Sequence, residues 1–215
     1  MEWTPDGTIR NALWIGGGQW AGKTTVSALL SDRYGLTHYH YDAHAAHGHE
    51  DRRLAALLRR GERPAETDWE SYWVGEDPRA TAKRVLANFP DYFAWVLDDL
   101  RALGSPYPIV AEGWGLRPEL VAEVTDRRRM VVLAPTDEWQ ERQAATVPRA
   151  GAVSARVSDP ARAQRNRLER DRLITADAVR QAGRLGIRVI TVDGTRGPKQ
   201  ITDEVAAHFS GFVGQ

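Results

Sequence analysis

The segment from Gly17 to Thr24 reads Gly-Gly-Gln-Trp-Ala-Gly-Lys-Thr and fits the pattern G-x-x-x-x-G-K-[ST]. An apolar run precedes it and a helical pattern follows it, which is the context in which such a loop binds phosphate. Glycines let backbone N–H groups turn towards phosphate oxygens, and the N-terminus of the helix adds positive potential. Lys23 supplies a mobile charge for the outer phosphates of a nucleotide, and Thr24 offers a hydroxyl to Mg²⁺. The residues expected to contact the nucleotide are Gly17, Gly18, Gln19, Trp20, Ala21, Gly22, Lys23, Thr24 and Thr25.

Lysine is rare in this chain, which strengthens that interpretation. Only three of the 29 basic side chains are lysines, Lys23, Lys83 and Lys199, so a lysine is improbable by chance at the critical position of the motif. The remaining 26 basic residues are arginines.

Two acidic residues stand where predicted strands end. Asp42 follows a run that alternates histidine with tyrosine or threonine, and Glu112 follows Ile109-Val110-Ala111. An aspartate at such a place can orient a nucleophilic hydroxyl and take its proton as the bond to phosphorus forms, although Asp is also favoured in turns and helix caps. The carboxylate of Glu112 can hold Mg²⁺ through water, although apolar strands ending in Glu-Gly also occur without a function.

The elements that must position these residues alternate between strand and helix. Five apolar or alternating runs predict strands, with helical patterns between them, and this alternation indicates an α/β protein with a parallel sheet covered on both faces. The predicted strands are Asn11–Ile15, Leu36–Tyr41, Tyr107–Ala111, Met130–Ala134 and Ile187–Val192. A mainly helical segment of about fifty residues separates the second strand from the third, which is too long for a simple crossover.

With the Gly17–Thr24 loop, Asp42 and Glu112 in these places, the chain resembles the small P-loop kinases of the nucleoside-monophosphate-kinase type. This group includes adenylate kinase, shikimate kinase, gluconate kinase and chloramphenicol phosphotransferase. The resemblance covers most of the chain in layout, while only the glycine-rich loop is highly specific. It implies one domain over residues 1–215 with a three-layer P-loop NTPase fold and a five-stranded parallel sheet of order 2-3-1-4-5. It also implies a helical acceptor-binding insertion at about 45–104 and an arginine-rich lid at about 142–170.

In the resembled kinases, lid arginines close over the phosphates and neutralise charge on the group being transferred. Arg142 and Arg149 lie where such a lid begins, and five further arginines follow in a helical stretch. Arg170 and Arg142 are the preferred catalytic candidates. A solvated charged helix is the alternative, since Glu169 and Asp171 are interleaved with the arginines. The five that follow are Arg162, Arg165, Arg167, Arg170 and Arg172.

The resemblance also locates the base and the acceptor. Gly194 and Thr195 follow the last predicted strand and resemble the loop that contacts adenine, and no N-K-x-D guanine signature is present, which favours ATP over GTP. Five of the six histidines fall between residues 38 and 49, where they can line an acceptor pocket, bind a divalent metal or form a polar surface loop. The residues expected to contact the acceptor are Asp42, His40, His44, Trp114 and Arg117.

Composition excludes several other classes of protein. The absence of cysteine excludes disulfide scaffolds, Cys-ligated metal sites and cysteine nucleophiles. The 29 acidic side chains balance the 29 basic ones, which argues against nucleic acid or an anionic membrane surface as a partner. No apolar run reaches the length of a membrane span and the N-terminus shows no signal peptide, so a cytoplasmic protein is expected.

The leading hypothesis is a kinase that uses ATP and Mg²⁺ to phosphorylate a hydroxyl group of a small-molecule acceptor. Lys23, Thr24 with Mg²⁺, and a lid arginine would stabilise the phosphoryl group while Asp42 orients the attacking oxygen. A nucleoside monophosphate kinase is the alternative if arginines of the insertion form a cationic clamp for a phosphate. A regulatory nucleotide-binding ATPase without an acceptor is the competing class, and the oligomeric state, monomer or homodimer, is open. The candidate clamp residues are Arg52, Arg53, Arg59 and Arg60.

Overall fold

A computed structural model describes residues 7–63, 66–105, 107–147 and 157–213. At its centre lies a parallel sheet of five strands in the order β2-β3-β1-β4-β5, which confirms the predicted fold and strand order. Each strand falls on its predicted run, with its ends shifted by at most two residues. The strands are β1 (Leu13–Gly17), β2 (Thr37–His40), β3 (Ile109–Glu112), β4 (Met130–Pro135) and β5 (Arg188–Val192).

Helices connect the strands and cover the sheet. They are α1 (Gly7–Asn11), α2 (Lys23–Tyr34), α3 (Tyr41–His44), α4 (Glu50–Arg59), α5 (Pro78–Ala102), α6 (Pro118–Val121), α7 (Asp137–Thr146), α8 (Pro160–Leu185) and α9 (Pro198–His208). Single π-helical turns at Ala45–His49 and Ser71–Gly75 and a 3₁₀ turn at Arg127–Arg129 complete the described elements. Among the described helices, none is both long and apolar enough to cross a bilayer.

Helix α5 lies on the helical pattern that the sequence shows over Pro78–Leu103, without the break that this pattern suggests. It begins where the Asp77 side chain accepts a hydrogen bond from the Arg79 N–H at 2.9 Å, with proline in the first turn. The sequence predicts an interruption near Pro90, yet the helix is continuous over Pro78–Ala102. Phe89 and Phe93 on either side of the proline are buried, so packing on this helix outweighs the local cost of one lost backbone hydrogen bond.

The sheet has two packed faces because side chains alternate along each strand. Trp14 of β1 packs on the face covered by α5, α6 and α8, while Leu13 and Ile15 pack on the face covered by α2 and α9. Both faces are apolar along the central strands, as expected of a parallel sheet covered on both sides. The register pairs Ile15 of β1 and His40 of β2 with Glu112 of β3. The carboxyl ends of these strands therefore lie together at one edge of the sheet.

Candidate active site

The glycine-rich loop leaves β1 in a conformation that only glycine suits. Gly17 has φ +119°, and a Cβ there would lie 2.1 Å from the Leu133 carbonyl oxygen of neighbouring β4. The Gly18 N–H donates to that same oxygen at 2.9 Å. Lys23 is buried, and its Nζ donates to the Gly18 carbonyl at 2.7 Å, which closes the loop on itself. The loop is therefore folded around its own lysine.

Helix α2 directs its N-terminus at the same place. It begins at Lys23 after Gly22, which has φ +75° and provides no side-chain cap. The first N–H groups of a helix have no partner within the helix, so those of α2 are donors for an anion. Trp20, in the middle of the loop, has φ +70° and is the one non-glycine residue with positive φ in the described part of the chain. Left-handed backbone at a bulky residue is a conformation that the surrounding structure must enforce.

A cavity of about 300 Å³ opens above this loop at the carboxyl edge of the sheet. It brings together residues from four separate parts of the chain: the loop, the junction of β2 and α3, the end of β3 and helix α8. The lining residues are Gln19, Trp20, Gly22, Lys23, Thr24, Thr25, His40, Asp42, Glu112, Arg167 and Arg170.

Glu112 lies at the centre of the polar contacts in this cavity. Its side chain is 1% exposed, and its Oε1 accepts a hydrogen bond from Thr24 Oγ1 at 3.1 Å and contacts His40 Nδ1. His38 Nε2 lies 4.0 Å from the same oxygen and 2.8 Å from Ser27 Oγ. Burial lowers the pKa of His38 more than nearby Glu112 raises it, which favours a neutral imidazole there. A carboxylate beside a hydroxyl is an oxygen donor set that suits Mg²⁺, so these residues fit the predicted ion.

Asp42 reaches the cavity because Tyr41 anchors the chain beside it. Tyr41 is buried against the segment that follows β3, where a Cβ on Gly115 would lie 2.3 Å from the Tyr41 Cζ. Asp42 itself is half-buried, and its Oδ1 is shielded from solvent and accepts no hydrogen bond from the described residues. A buried carboxylate oxygen without a donor is a site where a ligand hydroxyl can bind.

Arg170 and Arg167 enter the cavity from α8. The Arg170 Nε donates to Asp171 Oδ1 at 2.9 Å, and its guanidinium lies over the rings of Trp73 and Trp114. The Arg167 guanidinium lies 5.3 Å from the ring centroid of Trp20. Arg167 is a cavity residue that was not among the preferred candidates. Its spacing of three residues from Arg170 is the sequence signal for a shared helix face.

Among the residues predicted to be catalytic or to contact the acceptor, four do not line the cavity. Arg142 is exposed on α7 and lies 5.7 Å from the Trp139 ring, while His44 stacks on Tyr39. Trp114 does not line the cavity, and its ring centroid lies 5.5 Å from the Arg170 guanidinium carbon. Arg117 is 1% exposed and pairs with Asp177, because a buried guanidinium requires a carboxylate partner. Arg149 lies outside the described residues.

A second cavity of about 300 Å³ adjoins the first across the glycine-rich loop. Of the two residues predicted to contact the base, Gly194 lines this cavity and Thr195 does not; the N–H and Oγ1 of Thr195 donate to Asp193 Oδ1 at 2.9 and 2.7 Å. Trp139 was missed as a lining residue; its Nε1 donates to the Trp20 carbonyl at 3.2 Å. Only the folded chain brings α7 beside the loop. The lining residues are Trp20, Ala21, Gly22, Thr25, Val26, Trp139, Gln143, Val192, Gly194, Arg196, Gly197, Pro198 and Ile201.

The histidine-rich segment over residues 38–49 forms a polar network with Asp99 of α5. His49 is 1% exposed, and its Nε2 lies 2.7 Å from Asp99 Oδ2, which also accepts from Tyr39 at 2.9 Å. His44 Nδ1 lies 3.4 Å from the same carboxylate oxygen. Over the described ranges, no three side chains of His, Asp or Glu lie close enough to hold a metal ion. These contacts connect β2, the π turn and α5.

Comparison with solved structures finds similar chains at low sequence identity. Shikimate kinase from Acinetobacter baumannii in complex with shikimate has a TM-score of 0.49 and 15% identity, over 96% of this chain and 98% of that one. Shikimate kinase from Aquifex aeolicus VF5 has a TM-score of 0.42 and 18% identity, over 92% and 95%. A gluconokinase from Sinorhizobium meliloti 1021 has a TM-score of 0.43 and 13% identity, over 95% and 94%. No protein-family model and no curated protein matches the chain.

Proposed function

We propose that this chain is a kinase that transfers the γ-phosphoryl group of ATP to a hydroxyl group of a small-molecule acceptor. The observation that carries the proposal is one cavity lined by the lysine of a phosphate-binding loop, two carboxylates and two arginines. In the transfer, the acceptor oxygen forms a bond to the γ-phosphorus, the bond from that phosphorus to the bridging oxygen breaks, and ADP leaves. Such a reaction needs positioning and charge stabilisation more than covalent participation by the protein.

ATP is assigned across the two cavities. The backbone of residues 17–25 and Lys23 would hold the phosphates, because the loop and the N-terminus of α2 present N–H donors and the lysine supplies a cation. The adjoining cavity, with Trp139 and Gly194 in its wall, would hold the base. Because the two cavities share Trp20, Gly22 and Thr25, one extended ligand can occupy both.

Thr24 and Glu112 are the residues that would hold Mg²⁺, directly or through water. When bound, the ion neutralises negative charge on the phosphates. Glu112 is held for this role by the Thr24 hydroxyl, and burial at 1% exposure limits its freedom to move.

Asp42 is assigned as the residue that orients the acceptor hydroxyl and accepts its proton. The open acceptor position on its buried Oδ1 supports this role. Arg170 and Arg167 would stabilise negative charge on the phosphoryl group, since both line the same cavity from α8. Arg142 could stabilise that charge only if α7 moved towards the cavity.

The pairing of the insertion arginines favours a hydroxyl acceptor over a nucleoside monophosphate. A phosphate-bearing acceptor needs available cations, yet Arg52 donates to Asp99 at 2.8 Å and Arg53 donates to Glu50 at 2.8 Å. Arg60 donates to Glu62 at 2.6 Å. Arg59 is exposed, and none of the four lines the cavity. These contacts weaken the case for a clamp in this part of the protein.

The proposal is tested by measuring ADP release over a panel of sugars, nucleosides, nucleoside monophosphates and hydroxylated antibiotics. We expect one acceptor class to raise turnover above basal hydrolysis, and Asp42→Asn to reduce that stimulated rate by about 10²- to 10⁴-fold, the usual contribution of a general base. Asp51→Asn is the matched control, because Asp51 is exposed on α4. If no acceptor stimulates turnover and Asp42→Asn leaves basal hydrolysis unchanged, the regulatory ATPase is the better description.

A further inference from the structure

Arg170 is held on three sides within the protein. Its guanidinium carbon lies 4.8 Å from the ring centroid of Trp73 and 5.5 Å from that of Trp114. The buried Asp171 carboxylate accepts a hydrogen bond from Arg170 Nε at 2.9 Å. Arg170 is itself only 8% exposed while still lining the cavity. These contacts restrict a long side chain to one orientation.

Two of those contacts come from separate parts of the chain. Trp114 follows Glu112 at the end of β3, and Trp73 belongs to the π turn Ser71–Gly75 of the insertion. That turn is fastened to α8, because the Trp73 carbonyl accepts a hydrogen bond from Asn166 Nδ2 at 2.9 Å. The Glu70 carboxylate accepts the Ser158 N–H at 2.8 Å just before α8 begins.

We propose that Trp73 and Trp114 are positioning residues for Arg170, so that docking of the insertion turn on α8 sets the orientation of the arginine that faces the phosphoryl group. This inference rests on the proposed kinase function. An aromatic face attracts a guanidinium, and burial strengthens the attraction because water no longer competes for the cation. A preoriented arginine stabilises developing charge without a reorganisation cost during the reaction. The acceptor-binding insertion is thereby coupled to the catalytic centre through one side chain.

The two aromatic contacts have a measurable consequence. A desolvated cation–π contact is worth about 2 kcal/mol, which corresponds to about a 30-fold change in rate if it is lost in the transition state. We therefore expect Trp73→Leu to lower kcat by about 10- to 30-fold while KM for ATP changes less than about twofold. Trp73→Phe keeps an aromatic face and is expected to retain most of kcat.

The experiment compares these variants with Trp69→Leu in an acceptor-stimulated ADP-release assay. Trp69 is the matched control because it lies just before the same turn, is 44% exposed and contacts Tyr72 instead of Arg170. In an Arg170→Ala background, Trp73→Leu is expected to cause no further loss of kcat, because its effect acts through the arginine. Trp114→Leu provides a second route to the same result if loss of the more buried Trp73 prevents folding, which thermal unfolding reports.

Three results would overturn the inference. One is wild-type kcat in both Trp73→Leu and Trp114→Leu. Another is an equal loss in Trp73→Phe and Trp73→Leu, which indicates packing alone. The third is an additive loss in the Arg170→Ala background. If no acceptor stimulates the unmodified protein, the proposed function fails and the positioning role fails with it. If an acceptor does stimulate it and one of the three results is obtained, only the positioning role fails.

Discussion

Lys23→Met is the sharpest test of the phosphate binding that we propose for the Gly17–Thr24 loop. Methionine has nearly the length of lysine and suits the buried stem, which is 6% exposed, so the change removes mainly the charge. It also removes the hydrogen bond from Nζ to the Gly18 carbonyl. The expected structural effect is modest, because a typical hydrogen bond contributes about 1 kcal/mol net and removing the buried ammonium also removes its desolvation cost.

The expected functional effect is much larger. A unit charge about 4 Å from a phosphate oxygen, at an effective dielectric constant of about 20, contributes about 4 kcal/mol. If that interaction strengthens as charge develops on the outer phosphate, its loss lowers kcat/KM by about a thousandfold, since about 1.4 kcal/mol corresponds to a factor of ten. The part of the interaction already present in the ground state appears as weaker ATP binding.

The assay measures kcat and KM for ATP together with direct ATP binding and thermal unfolding. Lys83→Met is the control, because it makes the same substitution at an exposed position of α5 and leaves the loop intact. We expect Lys83→Met to match the unmodified protein in every measurement. Unchanged ATP affinity and turnover in a folded Lys23→Met protein would refute the role assigned to this loop.

Two further predictions concern stability. Arg117→Met removes the guanidinium that pairs with Asp177 and donates to the Ile174 carbonyl at 3.2 Å, and we expect it to lower the free energy of unfolding by about 3 kcal/mol. The control is Arg79→Met, which changes an exposed arginine and should leave that free energy unchanged. A loss under about 1 kcal/mol in chemical denaturation of Arg117→Met would contradict a structural role for this pair. Burial raises the pKa of Asp99, but hydrogen bonds from His49 and Tyr39 outweigh it and hold the pKa below its usual value. The resulting stabilisation is present above the unfolded pKa of about 3.9 and is lost as the pH falls through the lower folded pKa. Between pH 6 and pH 3 we expect the free energy of unfolding to fall more steeply with decreasing pH for the unmodified protein than for Asp99→Asn. An equal fall in the two proteins would exclude this linkage.

The sequence was most informative where the relevant residues are consecutive. The loop from Gly17 to Thr24 and the start of α2 at Lys23 follow from local chemistry, namely glycines that permit the turn and a helix N-terminus that follows it. The five strands were also located within two residues, because each is a short apolar or alternating run bounded by turn residues. Pro90 was misleading, since the packing of its neighbours in α5 outweighs the local preference.

The sequence by itself therefore determined the strand–helix alternation, the glycine-rich loop between β1 and α2, and the acidic residues close to the ends of β2 and β3. Only the tertiary structure decided among the arginines, bringing Arg170 and Arg167 into the cavity and Arg117 into an ion pair with Asp177. It also brought Trp73 of the insertion against Arg170 of α8. The physical reason is that a local pattern records which backbone conformation a segment favours, whereas the partner of a buried charge depends on segments distant in sequence that pack around it.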